Sequence, residues 1–61
     1  MTVTRLRVRG SAYPLDVTET TKDIDGQKGT VDPMFYLHHA ESGERFAIKK
    51  TDVLTMAEIE R

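Results

Sequence analysis

Apolar residues in this chain recur at every second position, and that period decides the class of fold open to it. From Thr2 to Arg9 the run TVTRLRVR sets Leu6 and Val8 on one side and Arg5, Arg7 and Arg9 on the other. Successive side chains of a strand point to opposite faces, so the run predicts a half-buried strand ended by Gly10 and Ser11. From Tyr13 to Thr21, Tyr13, Leu15 and Val17 alternate with Pro14, Asp16 and Thr18, and the Val and Thr content favours extended backbone. Pro14 has no ladder donor, which puts the start of this second strand at an edge or a bulge. A third strand is predicted from Met34 to about Ala40 and a fourth from Arg45 to Lys50. Glu41, Ser42, Gly43 and Glu44 join them, with Gly43 free to take a positive φ. Phe35, Leu37 and His39 share one face of the third strand, and Phe46 and Ile48 form the matching face of the fourth.

Two segments lack this alternation. Between Lys22 and Pro33, the residues Asp23, Asp25, Gly26, Lys28, Gly29 and Asp32 are turn formers and read as one mobile polar loop. Asp23, Asp25 and Gly26 start like a calcium loop, but no Glu closes the ligand set twelve positions on, so an ordinary Asp-Gly turn is expected. In the tail, Val53, Leu54, Met56, Ala57 and Ile59 fit neither a helical stripe nor strict alternation. A short helix capped by Thr51 or Asp52 and a strand following a tight turn at Lys50–Asp52 both remain open.

Composition bounds the rest. Sixty-one residues make one domain, residues 1–61, and such a chain buries only about 60% of its unfolded surface. There are no cysteines, so neither disulfides nor thiolate zinc can add stability. With 38% hydrophobic and 31% charged residues and a net charge of -1, the chain is expected to fold rather than stay disordered. No apolar run nears the roughly 20 residues that cross a bilayer, and no apolar stretch follows the first arginines as a signal peptide requires. A soluble, cytoplasmic protein without a membrane partner is expected. Its core is expected to contain Leu6, Val8, Leu15, Val17, Phe35, Leu37, Phe46, Ile48 and either Val53 or Leu54.

The stretch Gly43 to Met56, GERFAIKKTDVLTM, resembles the closing section of SH3-like barrels of the Tudor and KOW kind: a strand, a 3-10 turn near an Asp, and a short final strand. The resemblance implies an all-β domain, either a small SH3-like barrel or a twisted antiparallel sheet of four or five strands, with a 3-10 turn or short C-terminal helix. It also implies binding without catalysis. It transfers no binding residue, because this chain has no aromatic cage set and no glycine with a basic loop after the first strand.

For chemistry, His38 and His39 are the first residues to weigh. As strand neighbours they point to opposite faces and cannot chelate one ion, and no further ligand spacing completes a site. One packed and one exposed histidine is the expected arrangement, with a His-based metal protein or enzyme as the remote alternative. No phosphate loop or nucleophile elbow is present. The chain is therefore read as a non-enzyme with no cofactor and no metal.

The most directed feature is the row Arg5, Arg7, Arg9, whose guanidinium groups stand roughly 7 Å apart along a strand. Together with Tyr36 and Lys49 it forms the candidate partner-binding set. Three to five cations set against ten acids give only modest hold on a polyanion at physiological salt. A small adaptor or regulatory protein that engages a protein partner through an outward strand face is accordingly expected. A nucleic-acid-binding module using the arginine row is the alternative. A homodimer by strand pairing is open to so small a chain. A reading frame of this size suits a phage or mobile-element accessory protein.

Overall fold

In the computed structural model, which describes residues 1–61, five strands, one helix and one 3-10 turn follow each other along the chain. They are β1 (Thr2–Val8), β2 (Leu15–Val17), α1 (Thr21–Lys28), β3 (Met34–His38), β4 (Arg45–Lys49), the 3-10 turn Lys50–Asp52, and β5 (Val53–Glu60). β1 lies between β2 and β5 in one antiparallel sheet, and β3 and β4 form a second, two-stranded one. A bridge between Val17 and His39 ties the two sheets together, supported by Thr18 N–H bonding His38 O at 3.1 Å and Ala40 N–H bonding Asp16 O at 2.9 Å. β4 and β5 do not pair, so no barrel is closed.

The alternation predicted for β1 holds in its central part. Leu6 is fully buried and pairs with Leu15 and Met56, while Arg5 faces the other way, opposite Asp16 and Ala57. Leu6, Val17, Ile24, Phe35 and Leu37 form the core, with Val8, Leu15, Phe46, Ile48, Val53 and Met56 packed around it, each partly covered. Burying each of these large apolar side chains stabilises the fold by about 1.5–3 kcal/mol. Thr4, in phase with Leu6, is also buried, and so is Val3, which the alternation puts on the arginine side. The Thr4 hydroxyl donates to Glu19 O at 2.5 Å and so carries no unmet polar group inward. The second strand, expected from Tyr13 to Thr21, is only Leu15–Val17, and Tyr13, ahead of Pro14 and outside it, is 81% exposed.

The polar segment after Lys22 is not a mobile loop. Thr20 caps a helix there: its hydroxyl accepts from Asp23 N–H at 3.2 Å and the Asp23 carboxylate accepts from Thr20 N–H at 3.3 Å. This reciprocal pair satisfies two otherwise unpaired helix-end donors. Asp23 and Asp25 thus lie in a helix and not in an Asp-Gly turn. Ile24, its one buried residue, inserts into the core. Lys50 secures the segment beyond it, donating from Nζ to Thr30 O and Oγ1 at 3.0 Å each while lying over the Phe35 ring.

The tail resolves as a strand. The 3-10 turn at Lys50–Asp52 stands where the GERFAIKKTDVLTM segment places one, and β5 then runs antiparallel to β1. Between the pairs Arg7–Thr55 and Val8–Val53 the register slips by one residue, which makes Leu54 the extra residue of a bulge and leaves it 55% exposed. Of the two core alternatives, Val53 is the one packed inward. Gly43 takes φ +74° in the β3–β4 connection, as that connection requires. No helix is long and apolar enough to cross a membrane.

Candidate functional site

The five residues of the candidate set fall on two different faces. Arg5 and Arg7 lie on the side of β1 turned away from Leu6, and Tyr36 and Lys49 lie on the side of the β3–β4 hairpin turned away from Phe35 and Leu37. Both inner sides pack on the same core, so the two groups face opposite ways.

On the β1 side the arginine row is largely committed. Arg5 makes a two-point pair with Asp16, Nε to Oδ1 at 2.8 Å and Nη2 to Oδ2 at 3.1 Å. That contact holds the Asp16 carboxyl below its usual value and raises the guanidinium's own. Arg61 adds a second cation 3.6 Å from Asp16. Arg9 lies beyond the end of β1, its N–H bonded to Asp52 O and its Nε 4.0 Å from the Asp52 carboxylate. Arg7 alone of the three has no carboxylate within ion-pair distance. Alternation foresaw the row but could not show that β2 would bring Asp16 opposite Arg5.

On the hairpin side the strands pair Met34 with Lys49, Tyr36 with Ala47 and His38 with Arg45. The Arg45 guanidinium lies over the Tyr36 ring, 5.2 Å from its centroid, and Tyr36 is 39% exposed. The Tyr36 hydroxyl is pushed above its usual value by donating toward Asp32, whose carboxyl is held down chiefly by the Met34 N–H. The face therefore presents an amphipathic ring, a stacked guanidinium, a free ammonium and a thioether within two short strands. Arg45 is outside the set of five expected from the sequence; the pairing across the hairpin gives it the larger part.

No family model, curated protein or solved structure matches the chain.

The histidines separate as strand neighbours do. His39 is half-buried, its ring stacked on Phe46 at 4.2 Å, and His38 is exposed on the outer face with Nδ1 2.7 Å from Glu19 Oε2. Glu19 also accepts from His38 N–H at 2.9 Å. Burial pushes the Glu19 carboxyl up, but the bonds from His38 outweigh it and leave the group below its ordinary value. No three His, Cys, Asp or Glu side chains come together in a metal-holding cluster.

Sequence reasoning missed one concavity. A notch of about 420 Å³ opens beside the start of β2 and the hairpin turn, with Asp16, His39, Glu41 and Glu44 around it. Its lining suits a cation, and Arg61 already reaches both Asp16 and Glu41 at 3.6 Å.

Proposed function

We propose that this protein is a non-catalytic adaptor or regulator that binds an acidic surface of a protein partner through the outer face of the β3–β4 hairpin. One observation carries the reading: the Arg45 guanidinium stacked on the exposed Tyr36 ring, with Lys49 and Met34 beside it. Tyr, Arg and Met are the residue types that concentrate binding energy at protein interfaces, because each offers large contact area with a polar or adaptable tip. The stacking also holds the guanidinium in place before a partner arrives, which reduces the entropy lost on binding. Strand order supports a finer reading of the fold. Through the Val17–His39 bridge the strands run β5–β1–β2–β3–β4, with a 3-10 turn leading from β4 to β5, and we read this as an SH3-like barrel left open between those two strands.

The test compares proteins retained from native cell extract by the tagged chain, by Tyr36→Ala with Arg45→Glu, and by Arg5→Ala with Arg7→Ala. The reading expects a specific protein lost only with the hairpin variant. Retention by the hairpin variant, or micromolar binding to duplex or single-stranded DNA that survives physiological salt and disappears without the β1 arginines, would overturn it.

A further inference from the structure

The outer edge of β3 is closed group by group by side chains. Asp32 accepts from Met34 N–H, Gln27 bonds both Tyr36 N–H and Tyr36 O, and Glu19 accepts from His38 N–H. The outer edge of β2 carries the bridge to His39. Along β5, Glu58 is held by the N–H and hydroxyl of Thr21, Glu60 by Met1 and Thr2, and Leu54 is a bulge.

The edge of β4 has no such cover. Bonds from His39 N–H to Glu44 O and from Lys50 N–H to Pro33 O fix the phase of the hairpin, and those of Gln27 to Tyr36 agree with it. By alternation, Phe46 and Ile48 turn their backbone groups toward β3, while Arg45, Ala47 and Lys49 turn theirs outward. All three outward residues are exposed, and the N–H and C=O of Ala47 bond nothing. On the inner side of the same edge the Phe46 and Ile48 side chains are only partly covered. On the outer side neither Arg45 nor Lys49 has a carboxylate within ion-pair distance. Asp32 beside Tyr36 is engaged by Met34 N–H, and Glu44 alternates to the other side, where it lines the notch with His39.

We propose that the β4 edge takes an extended segment of the protein partner as an added strand, one that alternates Asp or Glu with Val or Ile. The proposal rests on the reading of the hairpin as the partner-binding element and states how that element is engaged. Main-chain bonds to Ala47 and its outward neighbours supply the hold, and side chains set the choice of segment. Each acidic residue then stands beside Arg45 or Lys49 on the outer face, and each apolar one beside Phe46 or Ile48 on the inner face. The same charges exclude other occupants. A second β4 would set cations against cations, which is how charged edges deter like strands. The acidic strand within the chain, β5, has Glu58 and Glu60 already held by Thr21, Met1 and Thr2.

The test titrates the full chain with a synthetic peptide of about eight residues alternating Glu and Val, followed by amide hydrogen exchange and calorimetry. Binding is expected with Kd on the order of 100 µM, weakening as salt rises, and the Ala47 and Lys49 amides are expected to gain at least about tenfold protection while Tyr36 does not change. N-methylation of alternate peptide residues is expected to abolish binding in one phase and spare it in the other, because an added strand bonds the edge through every second amide. Arg45→Glu with Lys49→Glu is expected to transfer the preference to a peptide alternating Lys and Val. Ala47→Pro, which removes an outward N–H and spares the β3 ladder, is expected to weaken binding about tenfold or more. Equal binding of both methylated peptides overturns the edge proposal and leaves the outer-face reading standing, since side chains alone would then hold the ligand. No binding of the Glu–Val peptide up to roughly 1 mM also overturns it, while the extract comparison with Tyr36→Ala and Arg45→Glu decides the outer-face reading separately. The methylated peptides act on the unaltered chain, so they decide even if Ala47→Pro fails to fold.

Discussion

The side-chain amide of Gln27 bonds the backbone of Tyr36 at both ends, donating from Nε2 to Tyr36 O at 3.0 Å and accepting from Tyr36 N–H at 2.8 Å. It occupies the place that a neighbouring strand would take, and it fastens α1 to the open side of β3. Gln27→Ala leaves both groups to water. A loss of about 1 kcal/mol is expected in urea unfolding, because the site is partly exposed and water replaces much of what is removed. Exchange of the Tyr36 amide should accelerate more than that of Leu37, whose partner is Phe46; equal acceleration would mean that the whole hairpin had loosened.

Ile24 is the only apolar anchor of α1 in the core. Truncation to Ala is expected to cost about 2–4 kcal/mol from lost burial and the cavity left behind. A chain this small has on the order of 3–5 kcal/mol in total, so Ile24→Ala should be largely unfolded by circular dichroism. Thr20→Ala removes the cap alone and should cost about 1 kcal/mol, leaving a cooperative transition.

Two glycines should respond oppositely to the same substitution. Gly43 has φ +74°, where an added Cβ is strained, and Gly43→Ala is expected to destabilise by about 1 kcal/mol. Gly26 lies inside α1 with nothing within 4 Å of an added Cβ, and Gly26→Ala is expected to stabilise by about 0.5–1 kcal/mol through helix propensity. Denaturant midpoints of the two variants on either side of the parent value check this.

Acid should weaken the fold through Asp16, Glu19 and Asp32, whose carboxyls all lie below their ordinary values. A depressed folded-state value means that the contribution is fully present above the unfolded value and is lost as pH falls through the folded one. The urea midpoint should therefore be level near neutrality and decline from about pH 5 downward. Glu19→Gln should start lower and decline less, since its bonds to His38 no longer depend on an ionised carboxylate; a decline of unchanged size would place the acid sensitivity elsewhere.

Four of the five strands and the 3-10 turn were legible in the sequence because each rests on a local cause. Period-two alternation sorts Leu6 from Arg5 and Phe35 from Tyr36, Pro14 delays the start of β2, and Gly43 alone at its turn accepts a positive φ. The same alternation placed Tyr36 and Lys49 on one outward face. The helix was not legible. TKDIDGQK has a single apolar residue and an interior glycine, so neither stripe nor propensity marks it, and its one local signal is the Thr20–Asp23 capping pair. What holds it as a helix is distant in sequence: a core that receives Ile24 and a strand edge that accepts Gln27.

The sequence by itself determined which side chains turn inward along β3, β4 and the central part of β1, because strand geometry makes that a property of spacing alone. Tertiary structure alone decided which neighbours they meet. Asp16 neutralises Arg5 only because β2 folds back beside β1, Arg45 covers Tyr36 only across the hairpin, and the tail is a strand only because β1 offers its free edge to Val53–Glu60. Each of these depends on residues far apart in the chain being brought together, and no local pattern encodes such a meeting.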